Sequence, residues 1–337
     1  MSDLTILIPT YERQHVLENL IKYWSNTTFK ILILDGSKEK LKNNILNTYP
    51  NIEYLYFKKK IEDELCPQGS YFRRVCAGFK KVETKYSLIA TDDDFFNIQA
   101  IKECLNSLSK NVDLNSFSGF TYSCIFKKYS ISLKRIYKNS SFLTSGIKDP
   151  DMRASSFFNY YVPRYYYSIS NTELSKNIFE ILYSYQFLPI FAWGELFYEI
   201  SMCLISCHNV VNLPFSIRGV NTKIKRSQKV QDFKDCFFQV EISSHLEHLI
   251  HDLSEMLTQY TNKSFSEIKN YFKTSINSYI SYSEINAEIK TKLKYNFNLH
   301  KIKSYIYNKK NKKYIDIYNN LNYSQIEILF SNLKIDL

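Results

Sequence analysis

The sequence predicts an α/β fold, a mixed and mostly parallel sheet flanked by helices, followed by a C-terminal all-helical region. Three observations predict it. Short apolar runs, Leu4-Thr5-Ile6-Leu7-Ile8, Ile31-Leu32-Ile33-Leu34 and Tyr86-Ser87-Leu88-Ile89-Ala90, each end at a proline or a polar turn, as buried strands do. Helical stripes alternate with these runs, and strand–helix–strand alternation implies parallel pairing through crossover helices. From about residue 230 the pattern is helical with almost no Gly or Pro.

In chain order, the first run stops at Pro9, which cannot continue a central strand. A helical stripe follows on Val16, Leu17, Leu20, Ile21 and Trp24. The second run ends in the polar turn Asp35-Gly36-Ser37. A helix is expected over Ser70 to Lys81, with Phe72, Val75, Cys76 and Phe79 on one face. Residues 113–145 alternate like strands. Residues 149–170 hold an aromatic cluster that includes Phe157, Phe158, Tyr160, Tyr161, Tyr165, Tyr166 and Tyr167. Residues 172–208 read as helices broken at Pro189. Beyond 230, Ile276, Tyr279, Ile280 and Ile285 keep helical spacing.

The third apolar run ends in Asp92-Asp93-Asp94. Adjacent carboxylates repel one another unless a cation joins them. At the C-terminal edge of an open α/β sheet, where such folds bind ligands, a hard divalent ion with oxygen ligands suits them, and it usually also holds a substrate phosphate. The plain alternative is a solvated acidic turn.

The combination Ile8-Pro9-Thr10-Tyr11-Glu12-Arg13, Leu34-Asp35-Gly36-Ser37 and Thr91-Asp92-Asp93-Asp94-Phe95-Phe96 resembles the nucleotide-sugar half of GT-A glycosyltransferases of the family 2 type. Within them it is most similar to a bacterial subgroup with a DDD-Phe motif. The resemblance covers about residues 4–222. It implies a GT-A domain over 1–225, with a nucleotide-sugar half at 1–110 and an acceptor half at 111–225. A helical basic region at 226–337 follows. It also implies a metal-dependent transfer of a sugar from a nucleoside-diphosphate donor to a glycan or lipid-linked acceptor, in bacterial surface polysaccharide (capsule or LPS) synthesis. The alternative is a catalytically inactive relative that binds a nucleotide sugar or a glycolipid.

The roles that the resemblance implies fall on particular residues. Asp94, with Asp92, would hold Mn²⁺ or Mg²⁺, which neutralises the leaving diphosphate. Pro9, Thr10, Tyr11, Arg13, Asp35, Ser37, Asp92 and Asp93 would line the donor pocket. Arg73 or Arg74 would reach the diphosphate with its planar fork, or be a surface charge. An inverting reaction needs a base for the acceptor hydroxyl. Glu195 in Trp193-Gly194-Glu195-Leu196 is the candidate, with Glu199 or Asp151 as substitutes, although the usual Glu-Asp pair of the family is missing. The stretches Asp149-Pro150-Asp151-Met152-Arg153 and Tyr161-Val162-Pro163-Arg164-Tyr165-Tyr166 also look familiar. Arg153, Arg164, Tyr165 and Trp193 are the acceptor-side candidates. The aromatic cluster either stacks on sugar rings or fills the core.

The composition fits this reading. A chain of 337 residues with 45% hydrophobic content supports one large domain and an added region. No stretch of about eighteen apolar residues exists and no basic-then-apolar leader opens the chain, so neither a transmembrane helix nor a secretory signal is expected. Seven scattered cysteines without a CxxC pair point to a reducing compartment. A cytoplasmic place follows, with a peripheral position on the inner face of the membrane as the variant raised by charge. The net charge is +11, and between Lys263 and Lys313 there are twelve lysines against three glutamates. Lys309, Lys310, Lys312 and Lys313 are densest. This excess suits an anionic membrane surface, or reflects only a lysine-rich composition. It comes with no nucleic-acid motif, so no nucleic-acid partner is expected. Self-association, as a homo-oligomer, is a further use open to the helical region.

Three other readings are weaker. A nucleotidyltransferase would want a glycine-rich phosphate loop after the first strand, and Pro9 to Arg13 has no glycine. His245, His248 and His251 step three residues at a time, so the outer pair diverges by about 120° around a helix and suits zinc poorly. Cys203, Cys207 and His208 lack an evident third catalytic group and read as buried cysteines.

Overall fold

The computed structural model describes residues 3–41, 48–58, 60, 67–111, 114–127, 130–136, 146–158, 163–185, 191–218 and 240–295. Its strands are β1 (Leu4–Thr10), β2 (Lys30–Asp35), β3 (Ile52–Tyr56), β4 (Tyr86–Ile89), β5 (Asp94–Phe96), β6 (Leu114–Lys127), β7 (Ser130–Arg135), β8 (Ile169–Asn171) and β9 (Cys207–Arg218). Its helices are α1 (Gln14–Ser25), α2 (Pro67–Phe79), α3 (Ile98–Lys110), α4 (Pro150–Phe158), α5 (Thr172–Ser184), α6 (Phe191–Ile205), α7 (Val240–Leu257) and α8 (Phe265–Tyr295).

The strands form one sheet in the order β3-β2-β1-β4-β8-β6-β9-β5, with β7 on the side of β6. β3, β2, β1 and β4 are all parallel. β8 then runs antiparallel to β4 and to β6, and β9 returns parallel to β6. This is the expected α/β class, parallel through the half that begins the chain and mixed beyond it. Chain order reverses direction beside β1, so a crevice opens at the C-terminal ends of β1 and β4, the usual ligand position in such sheets.

Side chains alternate across the sheet with the period of two that strands impose. Ile6, Ile8, Ile31 and Ile33 enter the core under α1 and α3, which holds Trp24 and Ile101. Leu7, Leu32 and Leu34 enter the opposite core with Phe72, Val75 and Phe79 of α2. Burial on both faces is why these strands read as unbroken apolar runs. The α2 stripe is the one expected from the sequence, although the helix opens at Pro67, where proline suits a first turn, and stops at Phe79.

The expected helical stretch over 172–208 is two helices, α5 and α6, and its last residues, Cys207 and His208, already belong to β9. Pro189 lies outside the described residues, as do the expected boundary near 225 and the lysines from Lys309 to Lys313. α7 and α8 share a core with the α/β part of the chain. Leu246, Leu249, Ile250, Leu253, Ile268, Phe272 and Ile276 pack in one cluster with α2, α5 and α6, and the Phe272 ring stacks on Phe197 at 5.8 Å. His251 of α7 meets the edge of Phe265 at 5.0 Å. Among the described residues no helix is long and apolar enough to cross a membrane.

Gly194 fixes how closely α6 approaches α2. A Cβ there would lie 2.0 Å from Cζ of the buried Phe72 ring. Gly194→Ala gains about 1 kcal/mol of helix propensity and loses about 1–3 kcal/mol to overpacking. The expected result is a net loss of up to about 2 kcal/mol, read as a lower urea midpoint with an unchanged slope.

Candidate active site

The site lies along the C-terminal edge of β1, β2 and β4. Asp92 and Asp93 form the turn after β4, while Asp94 opens β5 and pairs with Arg218 of β9. The three aspartates therefore face different neighbours. Asp92 is buried and accepts hydrogen bonds from Thr10 Oγ1 at 2.7 Å and Arg13 Nη1 at 2.6 Å. Arg13 also pairs with Asp93 at 2.9 Å. Burial raises the pKa of Asp92, and Arg13 and Thr10 pull it back down. Asp94 is also buried, and its Oδ2 lies 3.6 Å from Arg218 Nε. That is an ion pair, but too long for a good hydrogen bond.

The ends of β1 and β2 are tied together by side chains. Glu12 sits at φ 55°, in the left-handed region. Its N–H donates to Ser37 Oγ at 2.8 Å, and its carboxylate accepts the Lys38 N–H at 2.7 Å. Asp35 accepts the Ser37 N–H at 2.7 Å and the Tyr54 hydroxyl at 2.6 Å. Both Asp35 oxygens thus brace the turn. Arg74 is buried and donates from Nη1 to the Thr10 and Leu34 carbonyls. Gly36 makes room for it, since a Cβ there would meet Arg74 Nη1 at 2.6 Å. Of the two arginines considered for the diphosphate, Arg74 is built into the strand ends, and Arg73 is half-buried beside it. β1 does not stop at Pro9 but runs on to Thr10, with both residues in register with β2, while its pairing with β4, on the side where proline lacks an N–H, ends at Leu7. Tyr11 leaves 44% of its surface exposed at this corner, and its ring faces solvent next to Arg13.

On the other side of Asp94 a small open cleft lies between β5, β6, β9 and the segment before β8. Its polar lining is Asp94, Ser118, Thr121, Arg164, Tyr167 and Arg218, and its apolar walls include Phe96 and Phe215. The Arg218 guanidinium lies over the Tyr167 ring at 5.1 Å. The Tyr167 pKa is raised first by burial, then by the charge of Glu195, and also by that of Asp94, while Arg218 opposes. Tyr167 therefore stands within electrostatic reach of both Asp94 and Glu195. Arg218, Ser118 and Thr121 were not expected as site residues. The only sequence signal for Arg218 is its place at the end of the β-rich run Phe215-Ser216-Ile217.

Glu199, one turn after Glu195, sets the segment that carries Arg164 and Tyr167. It is 0% exposed, and its oxygens accept the N–H groups of Tyr165 at 3.0 Å and Tyr166 at 2.7 Å. Burial pushes its carboxyl up to about 8. It has no oxygen left for a substrate hydroxyl, so it acts as a structural anchor and the structure does not make it a base. Glu195 itself is half-buried on α6, and its charge acts on Tyr71, Tyr166 and Tyr167.

The other acceptor-side candidates are placed elsewhere, except Arg164. Arg153 is buried and caps the end of α6, donating to the Cys203, Leu204, Ile147 and Lys148 carbonyls. A cation suits those carbonyls. Asp151 is exposed and pairs with Lys263 at 2.8 Å, in the first turn of α4, which Asp149 caps at 3.0 Å. The Asp149 to Arg153 stretch is thus a helix start and a helix cap. Trp193 is 1% exposed and stacks on Phe197. Tyr165 is enclosed by Phe157 and His208. Enclosure keeps both rings from an acceptor. His208 lies between Ser116 Oγ at 2.8 Å and Ser118 Oγ at 3.0 Å, and burial together with Arg164 holds it neutral. Cys203 is buried, and burial pushes its thiol up to about 11. Tyr160 and Tyr161 lie outside the described residues.

No family model matches the chain, and no curated protein does. Among solved structures it is similar to S. aureus TarS, at a TM-score of 0.40 and 13% identity over 83% of this chain and 55% of that one. It therefore spans little more than half of that protein. It is also similar to S. aureus TarS 1-349 in complex with UDP, at a TM-score of 0.45, 13% identity, 85% of this chain and 91% of that one. For the complex with UDP-GlcNAc the values are 0.48, 12%, 82% and 72%. A likeness at this level fixes neither substrate nor chemistry, and the reading of the site rests on its own residues.

Among the described residues no three His, Cys, Asp or Glu side chains converge as a metal cage. Asp92 has both oxygens engaged, which leaves Asp94 as the carboxylate facing the cleft. One carboxylate fits a divalent ion that arrives with a substrate phosphate and keeps some of its water.

The anchoring of Glu199 has a pH signature. Its folded pKa of about 8 lies above the ordinary 4.5. Below the lower value both folded and unfolded chains hold the proton. Between the two only the folded chain does, so this contribution to stability is lost as pH rises toward about 8. Glu199→Gln is expected to flatten the fall of the urea midpoint between about pH 5 and pH 8, and parallel curves for the two proteins would show that Glu199 does not titrate in this window.

Proposed function

We propose that the chain is a glycosyltransferase that moves a sugar from a nucleoside-diphosphate donor to a hydroxyl of a glycan or lipid-linked acceptor. The observation that carries this is the division of the aspartate run at the sheet's switch point. Asp92 and Asp93 join Thr10 and Arg13 in a corner with an exposed aromatic ring, Tyr11. Asp94 lines the cleft with Tyr167, which feels the charge of both Asp94 and Glu195. A nucleoside suits the first side, and the reacting sugar suits the second.

Asp94 would hold Mn²⁺ or Mg²⁺ together with the donor phosphates, and the bound ion would neutralise charge on the leaving diphosphate. Arg218 balances Asp94 in its absence and, at 30% side-chain exposure, has room to swing aside. Arg13 opposes the burial that raises the Asp92 pKa and holds that carboxylate in place. Glu195 accepts the proton of the acceptor hydroxyl. The hydroxyl oxygen then bonds to the anomeric carbon as the bond from that carbon to the phosphate oxygen breaks.

Two variants test the assignment. UDP with Mn²⁺ should raise the melting temperature of the wild type, and Asp94→Ala should abolish the Mn²⁺-dependent part of that rise and all transfer. Near-native turnover in this variant would remove the metal role. Glu195→Gln should cut kcat on the order of 10²-fold or more while leaving UDP stabilisation intact. An unchanged kcat would rule out Glu195 as the base.

A further inference from the structure

Arg164 is 8% exposed, yet its Nη1 and Nη2 find no hydrogen-bond acceptor among the described residues. A guanidinium does not shed its proton to escape this, and a buried cation without a paired acceptor is costly. The acid near it is Glu199, whose oxygens already hold the Tyr165 and Tyr166 N–H groups. His208, held neutral in part by Arg164, has Ser116 and Ser118 on its two nitrogens. Arg164 lines the cleft beside Asp94, where Arg218 forms part of the same lining. Two cations against one carboxylate leave one positive charge in excess.

We infer that Arg164, assisted by Arg218, binds an anionic substituent, a carboxylate or a phosphate, carried on a sugar that occupies this cleft. The planar fork of Arg164 offers two parallel N–H donors, which match either group in bidentate fashion. A neutral sugar hydroxyl would leave the charge uncompensated. The buried rings of Phe96 and Phe215 close the apolar side of the cleft, and Thr121 lines it with a hydroxyl. The sugar in this inference rests on the glycosyl-transfer reading, whereas the anion site rests on Arg164 alone. The anion belongs either to the acceptor or to the transferred sugar of the donor.

The test is calorimetric titration and thermal shift of the full chain, at fixed ionic strength, in wild type, Arg164→Met, Arg164→Lys and Arg218→Gln. The probes are inorganic phosphate, glucuronate and glucose 6-phosphate against glucose, and UDP-glucuronate against UDP-glucose with Mn²⁺. In the wild type the charged sugars should bind about tenfold or more tightly than their neutral counterparts. Arg164→Met should erase that preference, keep the shift given by UDP and Mn²⁺, and melt no lower than the wild type without ligand, because it removes an unpaired buried charge. Arg164→Lys and Arg218→Gln should keep part of the preference. A preference for free sugar acids puts the anion on the acceptor, and one confined to UDP-glucuronate puts it on the donor. No preference in the wild type, or one that survives in Arg164→Met, overturns the inference. Loss of the UDP shift in Arg164→Met also overturns it, since Arg164 would then serve the diphosphate. If UDP fails to stabilise the wild type, the glycosyl-transfer reading fails, and the phosphate and sugar-acid titrations still decide the anion site. If Arg164→Met does not fold, the inference is overturned unless Arg218→Gln weakens the preference.

Discussion

Three consecutive carboxylates can fold beside one another here because arginines from separate parts of the chain share their charge. Arg13 takes Asp92 and Asp93, and Arg218 takes Asp94. Each pairing also ties neighbouring strands that lie far apart in sequence. Arg13 and Thr10 fasten the end of β1 to the turn after β4, and Arg218 closes β9 on β5. A third arginine, Arg74, binds the β1 and β2 ends through their carbonyls. The active edge of the sheet is therefore a set of cations holding anions and dipoles in fixed places. Such an arrangement is preorganised: its electrostatic cost is met in folding, before any substrate arrives.

Much of this was legible in the sequence. Unbroken apolar runs identified β1, β2 and β4, because parallel strands covered on both faces have no polar side to show. The stripes of α1 and α2 appeared at helical spacing for the same reason in one dimension. Gly36 and Gly194 marked positions without room for a side chain, although the sequence does not say that the neighbours are Arg74 and Phe72. The Asp92 to Asp94 run pointed to the right edge of the sheet. It did not show that Asp94 opens a strand of its own, since β5 exists only through pairing with β9, far away in sequence.

The residues misjudged from the sequence share one property. Arg153, Glu199, Tyr165 and Trp193 are polar or aromatic groups with the chemistry of a binding site, yet each serves the fold. Arg153 caps carbonyls, Glu199 gathers amides, and the two rings fill the core. Residue type alone does not separate a cation that meets a ligand from one that meets a helix end; only the list of its acceptors does. By that measure Arg164 and Arg153 differ sharply, although both stood as equivalent candidates in the sequence. Arg153 has four carbonyl partners, and the two buried Nη nitrogens of Arg164, a residue that lines the cleft, have no acceptor among the described residues.

The way α7 and α8 are seated bears on how the protein can be taken apart. Phe272 stacks on Phe197, and Phe197 lies in the same helix as Glu195 and Glu199. The apolar residues of α7 continue the core that begins under β1. These helices behave as a keystone and not as a detachable module. A chain cut before α7 would bare a face of large rings directly behind the catalytic helix, so loss of solubility and loss of site geometry would arrive together. Exchange of this part between related chains would have to carry α6 with it, which makes helix α6 and the two that cover it a single heritable unit.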